Sequence, residues 1–363
     1  MQFPQITLTG TPYEKGFIHG SRCKEQVLAS IRHYRSSFED KKGLGWEDAQ
    51  KLAQAFLPVF TGKYAKYLEE MRGIAEGAGV SFDEILTLNL RTEISYSGLS
   101  DSQKAGDHGC TAFSALAPAT RDGLTLAGQT WDYAFEQRDA SLIARIPAEG
   151  DTPAILLILE GGIVGGKGVN AAGISLTLNA LVSKQHAIGV PLHIRMRRVL
   201  ECTTLNEAYM EATVTPIPMP ANLIITHRDG QSLSLELDPS GVDVILPEDG
   251  MIVHTNHFYG PRMVLNHEHR VSGSTYMRLQ RMRQLMKAAA GDLTSADLES
   301  FCKDHVGYPT SICVHPDPKL PPEAQKGAGA TNYAFVADLT HGILRFVAGN
   351  PCEGEFTELP ICE

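Results

Sequence analysis

The sequence has little of several features that would indicate particular classes of protein. It contains no run of about 18 apolar residues, the length that a helix needs to cross a bilayer. Acidic side chains outnumber basic ones by 42 to 32, which gives a formal net charge of −10. A chain of this charge is not expected to bind nucleic acid or an anionic membrane. We therefore expect a small-molecule partner.

Targeting signals are also missing. The first residues, MQFPQITLTGTPYEKG, have no basic stretch followed by an apolar one, as a secretory signal peptide would. The last five residues, LPICE, match neither a peroxisomal signal of the Ser-Lys-Leu type nor a prenylation box. We therefore expect a cytoplasmic protein.

The cysteines and histidines show no metal-binding or disulfide pattern. The seven cysteines are odd in number and scattered: Cys23, Cys110, Cys202, Cys302, Cys313, Cys352 and Cys362. Such spacing is not typical of a disulfide framework, and six of them are most simply structural thiols. The histidines at 254, 257, 267 and 269 lack an accompanying H-E-x-x-H or C-x-x-C motif. We expect no metal site and no cofactor.

Two common enzyme motifs are absent or incomplete. No G-x-S-x-G elbow occurs, which disfavours a serine α/β-hydrolase. Residues 161–167, GGIVGGK, match seven positions of a phosphate-binding loop, but Gly168 follows where Ser or Thr is needed. The next residues are typical of a strand rather than of a phosphate-binding helix. We interpret this stretch as a glycine-rich turn that lets two backbone segments approach closely.

The remaining composition is that of an ordinary globular protein, with 43% hydrophobic and 20% charged residues in a chain of 363. That length can bury a large core in one or two domains. Apolar periodicity predicts helices over residues 13–36, 46–60, 64–76 and 81–90, so the first hundred residues are expected to be largely α. Ser81 and Glu84 are spaced as a capping box at the start of the last helix.

A polar stretch, SGLSDSQKAGDH at residues 97–108, is expected to be a loop or linker. It separates the helical N-terminal part from a part in which strands are predicted. Eleven segments between residues 111 and 349 have the composition of strands and are bounded by turn residues. Helices are predicted at 191–201, 205–212, 274–290 and 294–305. Strands, then helices, then strands again predict antiparallel sheets with helices packed outside, an α+β layered architecture.

Four motifs together resemble a known family. They are DHGCTAFS at residues 107–114, GQTWDY at 128–133, HTNH at 254–257 and LNLRTE at 88–93. This set resembles the acyl-coenzyme A:6-aminopenicillanic-acid (isopenicillin N) acyltransferase family of N-terminal-nucleophile hydrolases. The likeness continues through GTP at 10–12, MRGIA at 71–75, GVP at 189–191, SIC at 311–313 and GAT at 329–331. It therefore covers essentially the whole chain.

The resemblance implies a four-layer αββα N-terminal-nucleophile hydrolase core with a mostly helical N-terminal segment. It also implies that the chain cleaves its own Gly109–Cys110 bond. Residues 1–109 would then remain bound as a small subunit, and residues 110–363 would form the catalytic one. Glycine suits such a bond because it can take up strained backbone geometry. The freed α-amino group, with a reference pKa near 8, can serve as general base for its own thiol.

Cys110 is thus the expected nucleophile, and the alternative is a half-buried structural thiol. Asp132 ends the second strand after the cleavage site, so a β-hairpin would bring its carboxylate beside the new ammonium group. Asn256 offers a side-chain N–H for an oxyanion hole. The alternative for Asp132 is an ordinary acidic residue in a turn, and the alternative for Asn256 is an ordinary asparagine at a strand end, each without a catalytic role. Thr111 is expected to complete the oxyanion hole.

Substrate contacts are expected at positions where the chain departs from its relatives. Gln129 stands where many amide-hydrolysing relatives carry arginine, and it therefore favours the acyltransferase branch. The penicillin-type enzyme has a Ser-Arg pair where this chain has Gly327 and Ala328. A substrate carboxylate or coenzyme A phosphate would lose that fork-shaped donor unless Lys326 replaces it. Penicillin substrates are therefore not favoured.

Arg91 and Glu93 are expected to form a structural ion pair that holds the N-terminal segment against the catalytic sheet. The expected reaction moves an acyl group from a coenzyme A thioester or an amide, through a Cys110 thioester, to an amine. Two alternatives stay open. One is an N-acyl amide hydrolase of the same fold, and the other is an uncleaved, catalytically silent homologue with a binding role.

Overall fold

The computed structural model describes residues 2–96, 109–266, 272–325 and 328–361. The N-terminal part begins with a short strand, β1 (Gln5–Thr7), and is otherwise helical. Its helices are α1 (Pro12–Arg22), α2 (Lys24–Lys42), α3 (Trp46–Gln54), α4 (Ala65–Ala78), α5 (Phe82–Asn89) and α6 (Arg91–Tyr96). The prediction of a mostly helical N-terminal segment is confirmed.

Local sequence explains where several of these helices begin and end. The capping box of α5 is present, since the Ser81 hydroxyl accepts from the Glu84 amide and the Glu84 carboxylate accepts from the Ser81 amide. The single helix expected over residues 13–36 was wrong. Cys23 interrupts it with a non-helical φ of −120°, and α2 then continues to Gly43, which closes it in the left-handed conformation.

The rest of the chain forms two sheets. The eight-stranded sheet has the order β1-β4-β5-β6-β7-β8-β9-β10, and the six-stranded sheet has the order β11-β2-β3-β12-β13-β14. The strands of the first are β4 (Ser141–Ile146), β5 (Ile155–Glu160), β6 (Lys167–Asn170), β7 (Ile174–Ala180), β8 (Ala221–His227), β9 (Gln231–Asp238) and β10 (Gly241–Ile245). Those of the second are β2 (Gly109–Ala115), β3 (Leu126–Ala134), β11 (Met251–His254), β12 (Gly329–Asp338), β13 (Ile343–Ala348) and β14 (Thr357–Pro360). All eleven predicted strands are confirmed.

Helices cover the outer faces of both sheets. On the eight-stranded sheet, α7 (Leu192–Leu200) and α8 (Leu205–Ala212) share an apolar cluster with Leu157 and Leu176. On the six-stranded sheet, α10 (Gly273–Ala288) and α11 (Ser295–Phe301) share another with Phe113 and Val336. Two short helices, α9 (Pro261–Asn266) and α12 (Pro322–Gln325), complete the α-helices of the described ranges.

A third cluster fills the space between the sheets. Leu156 and Ile158 of β5 pack there against Trp131 and Phe335 of the other sheet. Because successive side chains of a strand point to opposite faces, β5 is buried on both sides, and its sequence ILLILE has no polar alternation. The layers are therefore helix, sheet, sheet and helix, and the expected four-layer α+β fold is confirmed.

The glycine-rich stretch before β6 is a close-packed turn, as interpreted from the sequence. A Cβ on Gly161 would overlap the backbone of Gln26 in α2, and one on Gly165 would overlap the carbonyl oxygen of His193 in α7. Glycine is required here because two backbone segments of other elements lie against the turn.

Arg91 and Glu93 connect the N-terminal helices to the rest of the chain, but they do not pair with each other. Arg91 forms a buried ion pair with Glu160 at the end of β5. A Glu93 carboxylate oxygen accepts a hydrogen bond of 2.6 Å from the Leu192 amide at the start of α7. The expected pair was wrong because residues two apart on a helix do not face each other.

Across the described ranges, we find no helix that combines the length and the apolarity required for a transmembrane span.

Candidate active site

Cys110 is the second residue of β2, and β3 returns beside it as an antiparallel partner. In the register of this hairpin, Gly109 lies opposite Asp132 and Cys110 lies opposite Trp131. Cys110 and Trp131 point into the apolar layer between the sheets. The Asp132 carboxylate lies on the other face of the sheet, because strand side chains alternate. The predicted hairpin is confirmed, and it places the acid one residue from the cysteine.

Asn256 contacts the backbone nitrogen of Cys110. Its Oδ1 atom accepts a hydrogen bond from that nitrogen at 2.9 Å, and its Nδ2 atom donates to the Ala180 carbonyl at 3.0 Å. Asn256 reaches this position because it follows β11, which pairs with β2. The backbone amide of Asn256 donates a hydrogen bond to the Thr275 hydroxyl at 2.8 Å.

Two further polar residues contact Cys110, and neither was predicted from the sequence. Arg278 of α10 donates to the Cys110 carbonyl at 2.8 Å and to Asn256 Oδ1 at 3.0 Å. Asn179, near the end of β7, donates to the same Cys110 carbonyl at 3.1 Å. Their only sequence signal is a polar residue near a strand end and one arginine among several in a helix, which does not single them out.

Asp132 is almost completely buried, with 1% of its surface exposed. Burial raises the pKa of its carboxyl group to about 7, although the Arg278 charge and the hydroxyls of Thr331 and Thr130 lower it. The Thr331 hydroxyl donates to Asp132 Oδ1 at 2.6 Å. Near neutral pH this carboxyl group can therefore hold or release a proton.

The thiol of Cys110 is also buried in the uncleaved chain. Burial raises the pKa of this thiol to about 11, and the Asp132 charge raises it as well, while Lys167 and Arg278 lower it. Lys167 lies in the same layer, where its Nζ atom donates to the Tyr333 hydroxyl at 2.9 Å and sits 4.2 Å from the centre of the Trp131 ring. Before cleavage, the thiol is neutral near pH 7.

A side chain at position 109 would have little room unless its neighbours shifted. A Cβ built there would overlap the Arg278 guanidinium and would lie 2.9 Å from Asn256 Oδ1. Both residues hold Cys110 through its backbone, so a side chain at position 109 would displace the groups around the bond.

Two of the other expected site residues are engaged within the protein. The Thr111 hydroxyl accepts from Arg278 at 3.1 Å, and its amide donates to the Thr130 hydroxyl at 3.3 Å. Gln129 is fully buried, and its side-chain oxygen accepts from the Leu178 amide at 2.8 Å. Gln129 thus connects β3 to β7 across the two sheets.

The remaining expected residues lie elsewhere or outside the described ranges. Lys326, Gly327, the linker at 97–108 and the histidines at 267 and 269 fall outside them. Ala328 lies just before β12, and its carbonyl accepts from the Phe135 amide at 3.0 Å. His254 contacts Glu236 at 2.8 Å, and His257 contacts the Thr275 hydroxyl at 2.9 Å.

Sequence comparison identifies the family. The profile of the family described as acyl-coenzyme A:6-aminopenicillanic acid acyl-transferase matches residues 119–319. The 40 kDa form of acyl-coenzyme A:6-aminopenicillanic-acid-acyltransferase from Emericella nidulans is 32% identical over 316 residues, covering 85% of this chain and 84% of that protein. The chain is therefore an enzyme of an acyltransferase family. It belongs to the acyl-coenzyme A:6-aminopenicillanic acid acyl-transferase family.

Three solved structures show a distant similarity to this chain. An N-acylethanolamine-hydrolyzing acid amidase ortholog from Caenorhabditis elegans has a TM-score of 0.44 at 15% identity, covering 64% of this chain and 93% of its own. A variant of the conjugated bile acid hydrolase from Clostridium perfringens has a TM-score of 0.46 at 16% identity, covering 69% and 97%. Penicillin V acylase from Agrobacterium tumefaciens has a TM-score of 0.40 at 12% identity, covering 66% and 83%.

Proposed function

We propose that this protein is an autoprocessed cysteine acyltransferase. It cleaves its Gly109–Cys110 bond, and the new N-terminal Cys110 then carries an acyl group as a thioester to an amine. The observation that carries the proposal is the surroundings of Cys110: Asn256 Oδ1 lies 2.9 Å from its nitrogen, and Arg278 lies 2.8 Å from its carbonyl oxygen. The atom that would become the α-amine therefore already has a hydrogen-bond acceptor.

Cleavage requires that the Cys110 thiol lose its proton and attack the Gly109 carbonyl carbon. A C–S bond forms, the C–N bond between the two residues breaks, and the nitrogen takes up a proton. Water then attacks the resulting thioester, releasing a Gly109 carboxylate and a free thiol. Asp132 lies opposite Gly109 in the hairpin and can exchange a proton near neutral pH, because burial raises its pKa to about 7.

Turnover uses the new amine as the base. The neutral α-amino group takes the thiol proton, and the thiolate attacks the carbonyl carbon of the acyl donor. The donor's leaving group departs with a proton and leaves an acyl thioester on Cys110. An amine acceptor then attacks that thioester, forming an amide and regenerating the thiol.

Asp132 and Asn256 would position these groups. Asn256 Oδ1 accepts from the α-amine and thereby directs its lone pair. A carboxamide has two N–H donors, so the one that binds Ala180 leaves a second for the oxyanion of the tetrahedral intermediate. The Asp132 carboxylate, opposite Gly109 in the hairpin, would stabilise the α-ammonium form.

The N-terminal segment is expected to stay bound as a separate subunit after cleavage between residues 109 and 110. Its strand β1 adds to the edge of the eight-stranded sheet beside β4. Arg91 forms a buried ion pair with Glu160, and the Tyr34 hydroxyl donates to the same carboxylate at 2.7 Å. Removing a partner from a buried ion pair typically costs about 3–5 kcal/mol, so loss of the segment would be unfavourable.

The family supplies the substrate classes, an acyl-coenzyme A donor and an amine acceptor. The relative from Emericella nidulans is described as acting with acyl-coenzyme A and 6-aminopenicillanic acid. In this chain, Ala328 stands where the penicillin-type enzyme is expected to have arginine, so we propose an amine acceptor without that carboxylate. Lys326 remains the candidate replacement cation.

Intact-mass analysis of the purified protein tests the cleavage. We expect two fragments, residues 1–109 and 110–363, and we expect that Cys110→Ala abolishes both cleavage and turnover. Cys202→Ala, which changes a thiol on the outer face of the other sheet, should be cleaved normally. A single uncleaved chain after long incubation would instead support a silent homologue with a binding role.

The balance between transfer and hydrolysis requires a substrate panel. Cleaved protein incubated with acyl-coenzyme A donors and amines should yield amide products by mass spectrometry. Release of free acid from acyl-coenzyme A or N-acyl amides, without amide product, would favour the amide hydrolase.

A further inference from the structure

We propose that His305, Cys313, His315 and Cys352 form a zinc site that is distinct from the site at Cys110. Their ligand atoms all lie within 4.8 Å of one another. His315 Nε2 lies 3.1 Å from His305 Nε2, 3.5 Å from Cys313 Sγ and 3.4 Å from Cys352 Sγ. The two sulfur atoms are 3.6 Å apart.

Four of the six separations between the ligand atoms are close to the edges of a tetrahedron around zinc. With Zn–S of about 2.3 Å and Zn–N of about 2.0–2.1 Å, the edges of a tetrahedral site are about 3.8 Å for S–S, about 3.6 Å for S–N and about 3.3 Å for N–N. The four separations given above follow the same order and are each about 0.1–0.2 Å shorter than these values, and the two from His305 to the sulfur atoms are no longer than 4.8 Å. Two thiolates and two imidazoles select zinc over magnesium or calcium, which prefer oxygen ligands.

The fold holds the ligands in place through backbone contacts. The Cys313 amide donates to the Asp304 carbonyl at 3.0 Å, and the His315 amide donates to the Pro309 carbonyl at 2.9 Å. Cys352 comes from a short turn, Pro351–Glu353, that follows β13. The site would therefore connect the loop before β12 to the turn after β13.

Outer contacts of the kind that support metal ligands are also present. Asn350 Nδ2 donates to Cys313 Sγ at 3.4 Å, as suits a thiolate. The Glu353 carboxylate lies 3.9 Å from His315 Nδ1, an ion-pair contact rather than a hydrogen bond, at the ring nitrogen that does not face the other ligands. A hydrogen bond between the two imidazoles would explain one contact, but not the convergence of both thiols.

A disulfide between Cys313 and Cys352 is the competing explanation. Its bond length would be about 2.05 Å, well below the observed separation of 3.6 Å. It would also leave the convergence of both imidazole Nε2 atoms unexplained. No metal site was expected from the sequence, because the histidines at 254, 257, 267 and 269 lack an accompanying H-E-x-x-H or C-x-x-C motif. The four ligands proposed here lie far apart along the chain and form neither motif.

The site is structural rather than catalytic, because four protein ligands leave no open position on tetrahedral zinc. The site is nevertheless connected to Asp132 by two hydrogen bonds. The amide of Val314, between two of the ligands, donates to the Thr331 hydroxyl at 2.8 Å, and that hydroxyl donates to Asp132 at 2.6 Å. The metal would thus fix the loop that positions Asp132.

The test is the metal content of the purified full-length protein, which does not depend on activity. We expect about one zinc per chain by elemental mass spectrometry. Cobalt added after chelation should give the visible bands of tetrahedral Co²⁺ together with thiolate-to-cobalt charge transfer. Chelation should also lower the melting temperature, and added Zn²⁺ should restore it.

Variants separate this site from adventitious binding. His305→Ala alters an exposed side chain and should fold, yet it should weaken zinc affinity at least tenfold, as should Cys352→Ser. The matched controls His341→Ala and Cys202→Ser should bind zinc like the wild type. The proposal would be overturned if the purified protein held no stoichiometric zinc, or if the variants and the controls lost zinc affinity equally. It would also be overturned by a mass about 2 Da lower than that of the reduced chain, which would indicate a Cys313–Cys352 disulfide.

Discussion

The side-chain oxygen of Asn256 accepts a hydrogen bond from the backbone nitrogen of Cys110 at 2.9 Å. This nitrogen is the atom that cleavage of the preceding bond would convert into an amine. Arg278 donates to the same Asn256 oxygen and to the Cys110 carbonyl, so it fixes both sides of the residue. The proposed nucleophile is thus held through its backbone before any cleavage occurs. Four substitutions test the roles of the residues around it, and a fifth tests the choice of acceptor.

Gly109→Ala should slow autocleavage. The added Cβ would overlap the Arg278 guanidinium and press on Asn256, displacing the groups that hold Cys110. The measurement is the time course of cleavage on a denaturing gel. Gly273→Ala is the matched control, because a Cβ there would meet no atom within 4 Å. Cleavage of Gly109→Ala at the wild-type rate would show that the position tolerates a side chain.

Asp132→Asn should slow both cleavage and turnover, because it removes the charge proposed to hold the α-ammonium group. The variant keeps an oxygen that can accept from Thr331, so the local fold should persist. Cleavage is read by mass spectrometry and turnover by amide formation. Wild-type rates in this variant would refute the role of the carboxylate.

The same substitution should stabilise the uncleaved protein at neutral and alkaline pH. The pKa of Asp132 is raised from 3.8 to about 7 in the fold, so the folded state binds the extra proton between these values and loses stability as pH rises. Ionisation of Asp132 lowers the free energy of unfolding by an amount of the order of 4 kcal/mol once the pH is above both pKa values. We expect Cys110→Ala/Asp132→Asn to melt above Cys110→Ala, by a margin that grows up to about pH 7 and is constant beyond it. A margin independent of pH would contradict the raised pKa.

Asn256→Ala should leave the fold intact but lower the catalytic rate about 100-fold or more, as expected when an oxyanion donor is lost. The rate is measured on cleaved protein, and circular dichroism checks the fold. Asn206→Ala, on the exposed face of α8, is the control. An active Asn256→Ala enzyme would place the oxyanion hole elsewhere.

Arg278→Gln should slow cleavage by roughly 10- to 100-fold, since hydrogen bonds from a charged group contribute about 1.5–3 kcal/mol. It should also raise the pKa of the Cys110 thiol, because the Arg278 charge lowers that pKa. The pH dependence of thiol alkylation measures this change. Arg283→Gln, an exposed arginine of the same helix, should alter neither property.

Ala328→Arg should improve the use of acceptors that carry a carboxylate, and the wild type should use 6-aminopenicillanic acid poorly. A missing charged contact costs about 1.5 to 3 kcal/mol, enough for a ten- to hundredfold preference. The assay compares acylation of 6-aminopenicillanic acid and of uncharged amines by phenylacetyl-coenzyme A. Equal rates in the wild type would contradict this inference. If Ala328→Arg has no effect, removal of Lys326 should reduce the use of such acceptors.

The sequence by itself determined those features that depend on neighbours along the chain. The capping box of α5, the alternating and continuous apolar runs of the strands, and the glycine-rich turn all follow from local composition and were predicted. The hairpin that places Asp132 beside Gly109 was also predictable, because strands that are consecutive in sequence usually pair with each other.

Only the tertiary structure decided which distant side chains meet. Arg278 is 168 positions from Cys110, and Asn179 is 69 positions from it, so no spacing rule links them. The pairing of Arg91 with Glu160 and the convergence of two cysteines with two histidines arise in the same way. Such contacts depend on how helices and loops pack on the two sheets, and that packing is set by the summed burial of many apolar side chains rather than by any local motif.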